Sequence, residues 1–187
     1  MPLRLGTVLS RSDFPAPELT ALVLDGEAFR VDQCIAPVDT VPGPVLRAAA
    51  LVAELPPRLI AEQRTAAWVW GIVADPPLLH EVCVDISARV RPTLDARLSV
   101  REVVVLHEDV AVIAGLTVTT PMRTAIDLAR FVEDWSDEEA RIVRELLTLG
   151  ECDVLDCARV MNRKRNLPGK RIALERLSGC VQAASRS

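Results

Sequence analysis

A chain of 187 residues, half of them apolar, is long enough to bury its own core, as one ordinary domain or as a small module joined to a larger one. Aromatic residues make up only 3% and Tyr is absent, which removes the stacking platforms that single-strand nucleic-acid binders use. The net charge of −4 is unevenly spread: residues 159–187 hold eight Lys or Arg and one acid, about +7, leaving about −11 on residues 1–158.

A basic segment on an acidic body suits an anionic partner surface, protein or nucleic acid, although solvated helix faces produce the same pattern. Five cysteines without CxxC spacing and no signal-like run in Met1–Phe14 predict a reduced, cytoplasmic protein. Charge or Pro breaks every apolar run well short of the roughly 20 residues that span a bilayer, so no membrane segment is expected.

In chain order, Phe14-Pro15-Ala16-Pro17 precedes a predicted helix from Glu18 to Leu24 with Leu19, Leu22 and Val23 on one face. Asp25-Gly26 then turns into β-prone Glu27–Val31 and Cys34–Ala36. Helix, tight turn and hairpin is the layout of a winged helix, here a degenerate module over residues 1–41. Its helix shows no basic residue; Arg11 and Arg30 are the only basic side chains from Ser10 to Thr40 and the candidates for DNA contact.

Pro42-Gly43-Pro44 places a boundary near residue 41, with a body over residues 42–187. Val45–Leu55 reads as a helix with Val45, Ala48, Ala49 and Val52 inward. Ile60–Trp70 reads as a second helix ended by Gly71, with Trp68 and Trp70 pointing different ways. Leu78–Ser87 alternates like a half-buried strand, with Leu78, Val82, Val84 and Ile86 inward. Arg101–Leu106 and Val110–Ala114 follow as strands around His107-Glu108-Asp109, a charged trio read as a solvated turn.

Thr120 then caps a helix with Pro121 at its first position and a stripe of Met122, Ala125, Ile126, Ala129 and Val132. Ser136 with Glu139 forms a capping box for the next helix. Two more helices are expected, from Asp153 to about Lys164 and from about Gly169 to Ala184, the last displaying Lys170, Arg171 and Arg176. The sum is an α/β (α+β) chain: a small winged-helix-like module, a mixed sheet flanked by helices, and a helical, basic C-terminus.

Chemical motifs are sparse. No GxxxxGK[ST] or GxGxxG phosphate cradle occurs, and the only lysines, Lys164 and Lys170, lie in the basic segment rather than on a strand. No Asp/Glu-x-Lys triplet of the common metal-dependent nucleases is present. His80 and Cys83 fall on opposite faces of one strand, so no metal site and no cofactor are expected. Arg123, Asp127 and Arg130 share a helix face and can pair along it, or form a ridge that presents the preceding loop to a partner.

Three segments resemble the AbiEi-like antitoxins of bacterial toxin-antitoxin operons: LVLDGEAFRVDQCIAP (Leu22–Pro37), AEQRTAAWVWG (Ala61–Gly71) and, most specific, GLTVTTPMRTAIDLAR (Gly115–Arg130). The resemblance implies a chain that neutralises a cognate nucleotidyltransferase-like toxin encoded beside it and that represses its own operon through operator DNA. Two alternatives stay open: a free-standing winged-helix transcriptional regulator, and a kinase-like antitoxin that inactivates the toxin by phosphorylation. Binding rather than catalysis is the expectation, with no catalytic residue assigned. Arg163, Lys164, Arg165, Lys170 and Arg171 are the candidate contacts to toxin or nucleic acid, because guanidinium-rich segments pair with carboxylates and phosphates.

Overall fold

A computed structural model describes residues 7–88, 96–164 and 166–184. Helix α1 (Ala16–Leu24) runs into Asp25-Gly26, where Gly26 takes a φ of 73° that suits glycine, and the chain reverses into strands β1 (Ala28–Val31) and β2 (Cys34–Pro37). These pair antiparallel, with Val31 opposite Cys34, so Asp32-Gln33 makes a two-residue turn. Leu9, Leu19, Ala28 and Ile35 form a small core beneath them.

The hairpin also packs on the body. Val31, Cys34 and Ala36 share one cluster with Leu46 and Leu51 of α2 (Pro44–Glu54) and with Trp68 of α3 (Gln63–Val69). Helix α2 forms where expected but rotated: Leu46, Ala48, Ala50 and Leu51 are buried, whereas Val45 and Val52 are 60% and 46% exposed. The segment is apolar almost all round, so its period leaves the inward face undecided, and the neighbouring hairpin and sheet choose it.

Five strands form the main sheet: β3 (Ile60–Ala61), β4 (His80–Asp85), β5 (Leu98–Val103), β6 (Val110–Ile113) and β7 (Leu116–Thr119), in the order β5-β4-β3-β7-β6. The sheet is mixed, with β3 parallel to β7 and β4 parallel to β5, and the other two pairs antiparallel. Strand β3 claims Ile60-Ala61 from the predicted helix, so α3 starts at Gln63. Ala114-Gly115, with φ of 47° and 87°, makes the tight turn from β6 to β7. Leu78 is 96% exposed and Ile86 63% exposed, which shortens the inward stripe of β4 to His80, Val82 and Val84.

Four helices close the other side: α4 (Pro121–Phe131), α5 (Asp137–Leu149), α6 (Val154–Arg163) and α7 (Lys170–Ala184). Thr120 accepts a hydrogen bond from the Arg123 amide, Ser136 from Glu138, and Asp153 exchanges a reciprocal pair with Asp156, so α4, α5 and α6 each begin at a side-chain cap. Leu128, Ile142, Leu146, Met161 and Leu177 interlock between these helices with essentially no exposure. Each such side chain contributes on the order of 2–3 kcal/mol through burial. Helix α3 joins the two main cores: Ala67 faces the helical one and Trp68 the one shared with the hairpin.

Candidate functional site

The sheet has two unlike faces. Register aligns Ala61, Val82 and Val118 on one face, and these feed the apolar clusters under α2. Ile60, Cys83 and Arg101 share the other face, and Glu62 lies two residues beyond Ile60 in the same phase. Helix α4 covers that polar face, and the two surfaces meet in a network of buried charges.

Arg101 grips Glu62 with both ends of its guanidinium, Nε to Oε1 at 2.7 Å and Nη2 to Oε2 at 2.6 Å. Arg123 donates from Nε to Asp127 at 2.7 Å and from Nη1 to Asp109 at 2.5 Å. Arg130 donates to the second oxygen of Asp127 at 2.9 Å, and Arg101 lies 3.8 Å from the first. Asp127, with no exposed surface, thus holds three guanidinium groups. Lys164, at the end of α6, reaches Asp109 at 3.4 Å. Phe131 caps the cluster with the Arg101 and Arg130 guanidinium carbons 4.1 and 4.3 Å from its ring centre.

Burial alone would lower the affinity of Arg101 and Arg123 for their protons. Their carboxylate partners outweigh it and hold both above the ordinary arginine value. For Arg130 burial prevails, with Arg123 and Arg101 adding repulsion to it. Burial also pushes the Cys83 thiol up, reinforced by the Glu62 carboxylate, so this cysteine is an inert neutral group rather than a nucleophile. Over the network opens a cavity of about 570 Å³ walled by Arg101, Arg123, Arg130, Lys164, Phe131 and the apolar side chains of Val103, Val104, Leu106 and Leu167.

A second, smaller cluster ties the hairpin to the sheet. The Asp32 carboxylate meets His80 Nε2 at 3.0 Å and accepts from Arg97 at 2.8 Å. Burial would raise the Asp32 carboxyl, but the His80 and Arg97 contacts together outweigh it and hold it below the usual aspartate value. The left-handed φ of 53° at Asp32 is one that Asp adopts more readily than most residues. His80 therefore works as a buried hydrogen-bonding partner, and among the described residues no group of three or more His, Cys, Asp or Glu is placed to hold a metal ion.

The candidate residues separate into different environments. Arg123, Asp127 and Arg130 pair along α4 as part of the buried network. Asp109 of the charged trio is buried among them, 5% exposed, whereas His107 and Glu108 face solvent. Lys164 lines the large cavity and Arg163 a neighbouring one that also includes Lys164 and Asp109. Lys170 is half-buried at the start of α7, and Arg171 is exposed and pairs with Glu175 at 3.0 Å. Arg165 lies outside the described residues. Arg11 and Arg30 are both exposed.

Arg176, expected on display, instead clamps α7 to α4: it donates to the Ala129 and Val132 carbonyls at 3.1 and 2.7 Å beneath Trp135. Gly169 completes this junction. It has a φ of 73°, and a Cβ there would stand 3.0 Å from the Arg130 carbonyl, so any other residue would be strained and crowded at this position. Glu62, Arg101 and Phe131 were not singled out from the sequence.

The sequence profile of the AbiEi antitoxin C-terminal domain matches residues 59–168, more than half of the chain. That span contains the whole charged network, from Glu62 to Lys164, and leaves α1 and the hairpin outside it. No curated protein matches the chain. A solved structure, described as the crystal structure of RV2827C protein from Mycobacterium tuberculosis, aligns with 95% of this chain and 72% of its own at a TM-score of 0.51 and 15% identity, a likeness of fold. With an antitoxin domain spanning the main sheet, helices α3 to α6 and the network between them, the chain belongs to the AbiEi antitoxin family.

Proposed function

We propose that this antitoxin neutralises a nucleotidyltransferase-like toxin by binding it, with the basic segment around Arg163, Lys164, Arg165, Lys170 and Arg171 as the contact surface. The observation that carries the reading is the antitoxin domain match over residues 59–168. The charge pattern supports the surface: Arg163 and Arg171 are exposed, and Arg171 pairs with Glu175, itself 62% exposed, a pair that an acidic surface can displace at little cost.

Co-expression with the neighbouring toxin tests this, with growth rescue scored first and the recovered toxin then examined by intact mass and size exclusion. Rescue with a co-eluting, unmodified toxin is the expected result. Rescue with a free toxin heavier by one phosphate would assign the antidote to covalent chemistry instead. Reversal of the basic charges should abolish co-elution, and unchanged rescue and co-elution would move the surface elsewhere.

Operon repression is a second activity of the same reading. Helix α1 followed by the β1–β2 hairpin has the order of a degenerate winged helix, and Arg11 and Arg30 are exposed on it. Retention of the chain on its own promoter DNA, steeply weakened between 50 and 200 mM salt as is typical of phosphate contacts, is the expected outcome. Unchanged retention after Arg11→Gln with Arg30→Gln would remove this module from the DNA contact.

A further inference from the structure

The cavity above the charged network has the chemistry of a ligand site, which nothing in toxin neutralisation requires. Four cations wall it, Arg101, Arg123, Arg130 and Lys164, against one acid, Glu102. The carboxylates that pair with those cations, Glu62, Asp109 and Asp127, are not part of its wall; they sit behind, 0–5% exposed. The guanidinium groups are therefore oriented from the rear and held rigid before any ligand arrives. Such preorganisation reduces the ordering cost of binding.

Each arginine keeps one edge uncommitted. Among the described residues, hydrogen bonds occupy Nε and Nη2 of Arg101, Nε and Nη1 of Arg123, and Nε and Nη1 of Arg130, the last donating from Nε to the Pro168 carbonyl. Among the described residues no fully buried side-chain polar atom lacks a partner, so the remaining Nη nitrogens keep some exposure on the cavity side. Three open guanidinium edges and an ammonium exceed what the two oxygens of a carboxylate can use. They match the three or more acceptor oxygens of a phosphoryl group.

The rest of the wall is apolar, with Val103, Val104, Leu106 and Leu167 beside the cations, and the volume of about 570 Å³ falls in the range of small-molecule pockets. A bare phosphate would leave that surface unused. We infer that this cavity binds a nucleoside phosphate, its phosphoryl oxygens on Arg101, Arg123, Arg130 and Lys164 and its nucleoside along the apolar wall. The inference is independent of the toxin's identity, and its test contains no toxin, so either reading can fail alone.

The test is calorimetric titration of the purified full chain with ATP, CTP, adenosine and inorganic phosphate, at 50 and 200 mM salt. At least one nucleotide should bind at least tenfold more tightly than adenosine and than inorganic phosphate, and the higher salt should weaken it severalfold. Lys164→Gln, whose ammonium is peripheral to the network, should weaken the nucleotide about tenfold, while Arg159→Gln on the exposed side of α6 should not. Phe131→Leu, which releases two guanidinium groups without uncovering a charge pair, should weaken it as well. Absence of binding, equal binding of adenosine, equal binding of inorganic phosphate, or nucleotide binding unchanged in Lys164→Gln and Phe131→Leu would each overturn the assignment.

Discussion

Asp127 on α4 and Glu175 on α7 occupy the same local setting: a helical carboxylate with an arginine four residues before it, at 2.7 Å in one case and 3.0 Å in the other. Their surroundings differ completely. The Asp127 side chain has no exposed surface and the carboxylate answers three guanidinium groups, whereas Glu175 and Arg171 are 62% and 84% exposed. In water the exposed pair gains little, because solvent and salt screen it and two long side chains must be ordered. In the network the carboxylates have lost their hydration and the guanidinium groups most of theirs, so removing one partner strands the others at several kcal/mol. Sequence spacing is identical; burial decides what the pair is worth.

The largest effect should come from breaking the buried side of this contrast. Asp127→Ala leaves Arg101, Arg123 and Arg130 without their shared anion and should cost about 3–5 kcal/mol. For a chain of this size that lowers the melting temperature on the order of 10 °C, measurable by circular dichroism. A drop of only a degree or two would mean that water enters the network and solvates the stranded charges.

The Asp32 cluster sharpens the contrast through pH. Because its folded carboxyl is held below the usual aspartate value, the stability it contributes is present above the unfolded value near pH 4 and is lost as pH falls through the folded one. Asp32→Asn should therefore cost about 1–3 kcal/mol at neutral pH, and the gap between the two melting curves should close below about pH 4. A gap that stays constant down to pH 2 would show that hydrogen-bond geometry, not charge, carries the cluster.

Smaller changes probe partly exposed contacts. Thr120→Ala removes the cap of α4, whose bond to the Arg123 amide is long at 3.4 Å, so the loss should sit at the low end of cap effects, about 0.5–1 kcal/mol. At the exposed extreme, Arg171→Gln should change stability by less than about 0.5 kcal/mol. If it destabilised the chain as much as a cap deletion, Arg171 would hold the helix rather than face a partner.

Local chemistry was legible where it is self-contained. Thr120-Pro121, Ser136 with Glu139, and Asp153 announce three helix starts because capping depends on a few consecutive residues. The hairpin followed from the Asp25-Gly26 turn pair ahead of β-prone residues, and the opposite placement of His80 and Cys83 from strand alternation. The charged site was half legible. Arg123, Asp127 and Arg130 could be grouped from helical spacing, but their partners Glu62, Arg101 and Asp109 lie on three other segments that only the sheet assembles.

The sequence by itself determined the class of fold, the helix starts, the basic C-terminal segment and the antitoxin resemblance, all of which rest on short-range pattern and composition. Tertiary structure alone decided which face of α2 turns inward, that Asp109 is buried rather than solvated, and that Arg176 clamps α4 instead of facing solvent. It also decided that a helical row of charges becomes the floor of a cavity. A charged side chain carries no mark in sequence of whether water or another chain segment will surround it, and that surrounding sets both its energy and its use.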